Sequence, residues 1–170
     1  ELSFLDMSSI EFKIIQNRKS FDETGADEIY FLISANAGEE PKPLSKIASG
    51  GELSRVMLCI KAIIAQNMQL PTIIFDEVDT GVSGEIAHKM GEMMGDISNN
   101  IQVIAITHLP QVAVKGNNHL KVYKADTDEA TYTSMCELTK EERVEEIARM
   151  LSGREIDAAA INNARSLLGY

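Results

Sequence analysis

Ser49-Gly50-Gly51-Glu52-Leu53-Ser54-Arg55 and Thr72-Ile73-Ile74-Phe75-Asp76-Glu77 are the two stretches that decide how this chain is read. The first is a glycine-rich entry into a helix. A helix that opens on Ser-Gly-Gly presents backbone N–H groups and the positive end of its dipole, an arrangement suited to a phosphate. The second is a short apolar strand that ends in two adjacent carboxylates, Asp76 and Glu77. Carboxylates delivered at the end of a buried strand suit a magnesium ion and a water to be activated. In this order the two stretches point to ATP chemistry.

Working outward, Ser9–Gln16 and Glu28–Ala35 are β-branched and aromatic and read as strands. The Asp, Thr and Gly of Asn17–Asp27 read as the turn of a hairpin. Pro41 and Pro43 make a loop, and Ser49 caps a helix to about Met68 that is apolar on most faces. Thr72–Phe75 and Ile101–Thr107 are apolar runs expected of strands covered on both faces of a parallel sheet. Gly84–Ser98 carries Ile86, Met90, Met93 and Ile97 on one helical stripe and makes a strand–helix–strand crossover. His119–Lys124 and Thr131–Leu138 read as two more strands. Thr139 and Glu142 have capping-box spacing, Ser152-Gly153 stops the helix they open, and Asp157 caps a last helix ending near Leu168.

Composition sets bounds. The 170 residues make one domain, or one lobe of one, and suffice for a real core. No apolar run approaches the roughly 20 residues that span a bilayer. Cys59 and Cys136 lack metal spacing and read as reduced thiols, with Cys59 in the core. Sixteen Lys and Arg stand against twenty-six Asp and Glu, a formal charge of −10 that argues against a general phosphate-backbone surface.

The same stretches resemble the ATP-binding-cassette ATPases, and within them the SMC-like heads of the RecN DNA-repair family. Leu44–Arg55 looks like the signature motif, Thr72–Gly84 like the Walker B strand and D-loop, and Ile104–Ala113 like the switch-histidine region. Arg143–Leu168 resembles the family's C-terminal helices, and Gly25–Ala37 adds a further block. The fold this implies is α/β, a P-loop NTPase of the ABC and SMC-head type: a mainly parallel sheet flanked by helices, with extra antiparallel strands. No Gly-Lys dipeptide occurs in the sequence, so the phosphate loop of the Gly-x-x-x-x-Gly-Lys-Ser/Thr type is missing. Because SMC-like heads are split by a long coiled coil, the resemblance implies the C-terminal half of a head, residues 1–170 forming one domain fragment without the Walker A half. Its landmarks are a signature helix at about 49–68, a Walker B strand at 72–77, a switch-histidine strand at 101–108 and C-terminal helices at about 140–168.

By this resemblance the site residues take the following family roles. Asp76 is the magnesium ligand and Glu77 the general base that polarises the attacking water; the plainer alternatives are a helix cap and a loop glutamate. Ser49, Gly50 and Gly51 contact the γ-phosphate of ATP held by the opposite subunit, although Ser is also an ordinary N-cap and Gly-Gly an ordinary turn. Asp79, with Thr80 and Gly81, is the D-loop or simply a turn. His108 is the switch histidine bonded to the γ-phosphate or a structural histidine. Glu52 and Arg55 receive no role, His88 and His119 show no zinc spacing, and Glu141, Glu142, Glu145 and Glu146 read as a wet helix face.

The expected cofactors are ATP and Mg2+. The expected partners are the N-terminal half of the same head, a second copy across an ATP sandwich, and DNA through the full-length protein, with no membrane. The parent would be a bacterial, cytoplasmic, nucleoid-associated protein of DNA double-strand break repair and recombination. Catalysis would need the missing half, so the fragment alone is expected to be inactive. Two rivals stand: another cassette-type ATPase head, or a non-catalytic dimerisation module of the same fold.

Overall fold

A computed structural model describes residues 1–34, 38–46, 49–125, the backbone of Asp126, 131–153 and 155–170. Ala35 at the end of the second expected strand, Ile47 and Ala48 of the signature block and Arg154 of the C-terminal block lie outside the described residues. The described residues group into two compact units, Glu1–Leu70 with Val78–Met90, and Pro71–Glu77 with Gly91–Tyr170.

In the first unit, β1 (Glu11–Asp22) and β2 (Gly25–Ser34) form an antiparallel hairpin, with β3 (Lys42–Pro43) on the other side of β2. The broad turn expected over Asn17–Asp27 is instead strand on both sides of a two-residue turn, in which Asp22 faces Gly25. Asp22 closes it by accepting from the Thr24 amide at 2.8 Å and the Thr24 hydroxyl at 2.7 Å. The composition misled because almost every residue of this arm is exposed, so no buried face imposes an apolar alternation. A short 3-10 turn (Leu44–Lys46) leads to α1 (Gly50–Met68). Met7, Ile33 and Val56 form a buried cluster with Leu2, Ile10, Leu44 and Ile60 around it. Cys59 is buried in α1, and that burial pushes its thiol up to about 11, which keeps it protonated and unreactive at neutral pH.

The second unit holds the parallel pair β4 (Thr72–Asp76) and β5 (Gln102–Ile106), paired from Thr72↔Gln102 to Asp76↔Ile106. The expected cover on both faces is not seen: Phe75 is 1% exposed, yet Ile74, Ile104 and Ile106 on the opposite face stand 41–55% exposed. An all-apolar strand reports that it can be covered twice, not that its own chain supplies both covers. Between the strands runs α2 (Gly84–Ser98), which crosses the boundary between the units. Its inner stripe is Ala87, Met90, Met93, Met94 and Ile97, all buried.

After α3 (Pro110–Ala113), β6 (Leu120–Asp126) and β7 (Thr131–Glu137) make an antiparallel hairpin, followed by α4 (Lys140–Ser152) and α5 (Ala158–Leu168). Thr139 and Glu142 form the reciprocal capping box at the start of α4. Asp157 caps α5 by accepting from the Ala160 amide at 2.7 Å. The two helices close on Val144, Ile147, Ala148, Ala160 and Ala164, with Ala113 and Val114 packed against them. A side chain the size of Ile147, fully buried there, is worth about 1.5–3 kcal/mol. Among the described residues no helix is long and apolar enough to cross a membrane.

Candidate functional site

Parallel pairing in register carries β4 and β5 to the same level, so their carboxyl ends deliver side by side the residues that follow. Asp76 lies opposite Ile106, and the Glu77 amide donates to the Ile106 carbonyl at 3.1 Å, extending the pairing by one residue. The chain then breaks away sharply: Glu77 has φ of +45°, a left-handed conformation that costs a residue with a Cβ about 1–2 kcal/mol. Asp76, Glu77 and His108 are all exposed. Carboxylates and an imidazole thus line the carboxyl ends of adjacent parallel strands, where open α/β sheets take their ligands. The left-handed backbone at Glu77 has no signature in composition or periodicity.

His108 is followed by a well-secured segment. The Leu109 amide donates to the Thr107 hydroxyl at 2.9 Å, and Pro110 opens the single turn of α3. Gly91 of α2 lies against that turn, where an added Cβ would come within 3.0 Å of the Gln111 carbonyl oxygen. Arg143 of α4 donates to the carbonyls of Val114, Gly116 and Asn117. Neither Gly91 nor Arg143 stands out in the sequence, because both act on segments distant along the chain.

In the other unit, Ser49 caps α1 in an extended conformation, its hydroxyl accepting from the Glu52 amide at 3.4 Å. The two glycines then differ. A Cβ on Gly50 would meet nothing within 4 Å, whereas a Cβ on buried Gly51 would sit 2.5 Å from the Gly81 carbonyl oxygen. The space beside Gly51 is thus taken by the Asp79–Gly81 loop. Gly81 itself has φ of +78°, and a Cβ on it would come 2.9 Å from the Gly51 amide nitrogen. The Ser54 hydroxyl donates to the Thr80 carbonyl at 3.0 Å. Asp79 is 1% exposed. Arg55 gains an internal role, donating to the carbonyls of Gly51 at 3.1 Å and Leu5 at 2.9 Å.

These residues fit a magnesium nucleotide. Asp76 and Glu77 supply hard oxygen donors, and the described residues contain no cluster of three His, Cys, Asp or Glu able to hold a metal unaided. Magnesium bound by one or two carboxylates with phosphate oxygens and water asks for no more. At the head of α1, where a helix N-terminus suits a phosphate, a Cβ on Gly50 would meet no described atom within 4 Å.

The fold is that of the SMC ATPase head. The Smc head domain of Pyrococcus yayanosii, solved with a coiled coil and joint, matches with a TM-score of 0.67 over 89% of this chain and 28% of its own, at 15% identity. An SMC ATPase solved for its ATP-driven dimerization and DNA stimulated activation matches at 0.62 over 91% of this chain and 88% of its own, at 14% identity. No protein-family model matches the chain. The DNA repair protein RecN of Bacillus subtilis is 49% identical over 146 residues, 86% of this chain and 25% of the relative. That of Haemophilus influenzae is 42% identical over 166 residues, 96% of this chain and 30% of the relative. The chain belongs to the RecN family, and spans less than a third of the length of these relatives.

Proposed function

We propose that this chain is the C-terminal part of a split ATPase head, in a bacterial, cytoplasmic and nucleoid-associated protein of DNA double-strand break repair. The observation that carries the reading is the placement of Asp76 and Glu77 beside Thr107-His108 at the carboxyl ends of two parallel strands in register. Glu77 acts as general base on the water that attacks the terminal phosphate. Asp76 would hold the magnesium ion, and His108 would hydrogen-bond the terminal phosphate. Magnesium, when bound, neutralises charge that develops on the phosphate oxygens.

The turn at Ser49, Gly50 and Gly51 directs its N–H groups toward the phosphate of a nucleotide carried by a second copy, and Asp79 helps to place the water. Two heads thereby close on ATP and separate after hydrolysis. The phosphate loop comes from the N-terminal half of the same head, so the chain alone does not turn over ATP. DNA is engaged by the whole protein, consistent with the acidic balance of this part.

The test is ATP turnover by the full-length protein that carries this chain, with Glu77→Gln beside it and the isolated chain as a third sample. Turnover should fall at least about 10²-fold in the variant while ATP binding is retained. Wild-type turnover in Glu77→Gln would sink the assignment of the base. A wild-type protein that binds ATP without hydrolysing it would favour a non-catalytic dimerisation module, and hydrolysis by the isolated chain would refute the split head.

A further inference from the structure

We infer that the Ser49–Gly51 turn and the Asp79–Gly81 loop form one mechanical element, and that Ser54 is the positioning residue that couples them. In its catalytic consequence this rests on the function proposed above. Two contacts across the two segments carry it, and a third braces the turn. Gly51 and Gly81 meet backbone to backbone, each so close that a Cβ on either would fall within 2.9 Å of the other's main chain. One turn into α1, the Ser54 hydroxyl donates to the Thr80 carbonyl at 3.0 Å. Arg55 donates to the Gly51 carbonyl while also holding the Leu5 carbonyl.

The loop turns on a 3.3 Å bond from the Val82 amide to the Asp79 carbonyl. Ser54 and the glycine contact tie it to α1, and Asp79 is buried within it. A phosphate oxygen bound at the turn holds α1's first residues, and through Ser54 it holds Asp79 as well. Phosphate engagement and placement of Asp79 thus become a single event rather than two.

The experiment compares wild type, Ser54→Ala and Ser54→Thr. Alanine is a good helix former and leaves α1 intact, while threonine restores the hydroxyl. Hydrogen exchange on this 170-residue chain reads the coupling without any nucleotide: amides of Thr80 to Val82 should exchange about fivefold faster in Ser54→Ala, with Ser54→Thr close to wild type. Unchanged exchange in Ser54→Ala overturns the clamp, whatever the enzyme does. In the full-length protein, Ser54→Ala should lower kcat about five- to tenfold. KM for ATP and ATP-dependent self-association should stay within about twofold, and Ser54→Thr should restore kcat. An unaltered kcat, or a Ser54→Thr variant as slow as Ser54→Ala, overturns the positioning role. If wild type itself shows no turnover, the functional reading fails in that control while the exchange result still decides the clamp.

Discussion

At the glycine turn, backbone presses on backbone: Gly51 is buried against Gly81, Asp79 is enclosed, and Ser54 and Arg55 tie the segment down with side-chain hydrogen bonds. At the strand ends, Asp76, Glu77 and His108 are exposed, held by strand register and by a left-handed backbone at Glu77. One region is finished by its own packing, and the other leaves its polar groups in water. On the function proposed above, the difference has a use. A turn that offers N–H groups to a phosphate would need to be rigid in advance, since its donors are main-chain atoms. Carboxylates meant for a metal and a water would need to stay accessible, so their precision would come from the backbone beneath them. Damage should therefore be sterically local in the first region and chemical in the second.

The largest effect on stability is expected at the turn, and it should separate two adjacent glycines. Gly51→Ala places a methyl group 2.5 Å from a carbonyl oxygen that belongs to another main-chain segment, and should destabilise the fold by about 1–3 kcal/mol. Gly50→Ala meets open space and should stay within about 0.5 kcal/mol of wild type. Denaturant unfolding of both variants checks this. Equal costs at the two positions would break the comparison, because the turn would then be limited by conformation and not by the Gly51–Gly81 contact.

A smaller effect, of opposite sign, is expected at Glu77. Glycine adopts φ of +45° without the penalty a Cβ brings, so Glu77→Gly should be more stable than Glu77→Ala by about 0.5–1 kcal/mol. Both variants should lack turnover in the full-length protein. Alanine is the right reference because it removes the carboxylate and keeps the strain. A glycine variant no more stable than alanine would mean that the strand end carries no strain, and that Glu77 is placed by its side chain instead.

What the sequence disclosed and what it hid divide along the same physical line. The Thr139–Glu142 capping box, the Asp157 cap and the stripe Met90, Met93 and Ile97 are legible because the partners lie within a turn or two of each other. The carboxylates after Phe75 are legible because an apolar strand has to end somewhere and its end is polar. Gly51 against Gly81, Gly91 against Gln111, and Arg143 on the carbonyls after Val114 are not legible, since each joins segments that only the fold brings together. The outer arm of β1 and β2 was hidden for another reason: a hairpin with almost no covered face has no apolar period to read. The exposed face of Ile74, Ile104 and Ile106 belongs with it, because apolarity was visible while its cover was not.

The smallest effect sharpens the comparison through pH, and it belongs to the unit of the strand ends alone. His119 is half-buried, its Nδ1 is enclosed without a hydrogen-bond partner, and burial together with the nearby Arg143 guanidinium holds its imidazole below the ordinary value. Glu146 opposes that shift and Lys121 adds to it, and these two side chains form an ion pair with each other. Above about pH 6.5, the ordinary imidazole value, His119 is neutral in folded and unfolded chains alike and contributes nothing. As pH falls through that value the unfolded chain takes up a proton that the folded chain resists, so stability declines until the folded imidazole is itself protonated. His119→Gln should therefore match wild type in its pH dependence between pH 7 and 8 and lose part of the decline below about pH 6.5. Unfolding by denaturant at pH 7.5 and 5.5 measures it. Parallel acid slopes for the two proteins would show that His119 is solvated in the folded chain, and that the acid sensitivity of this unit lies with its carboxylates.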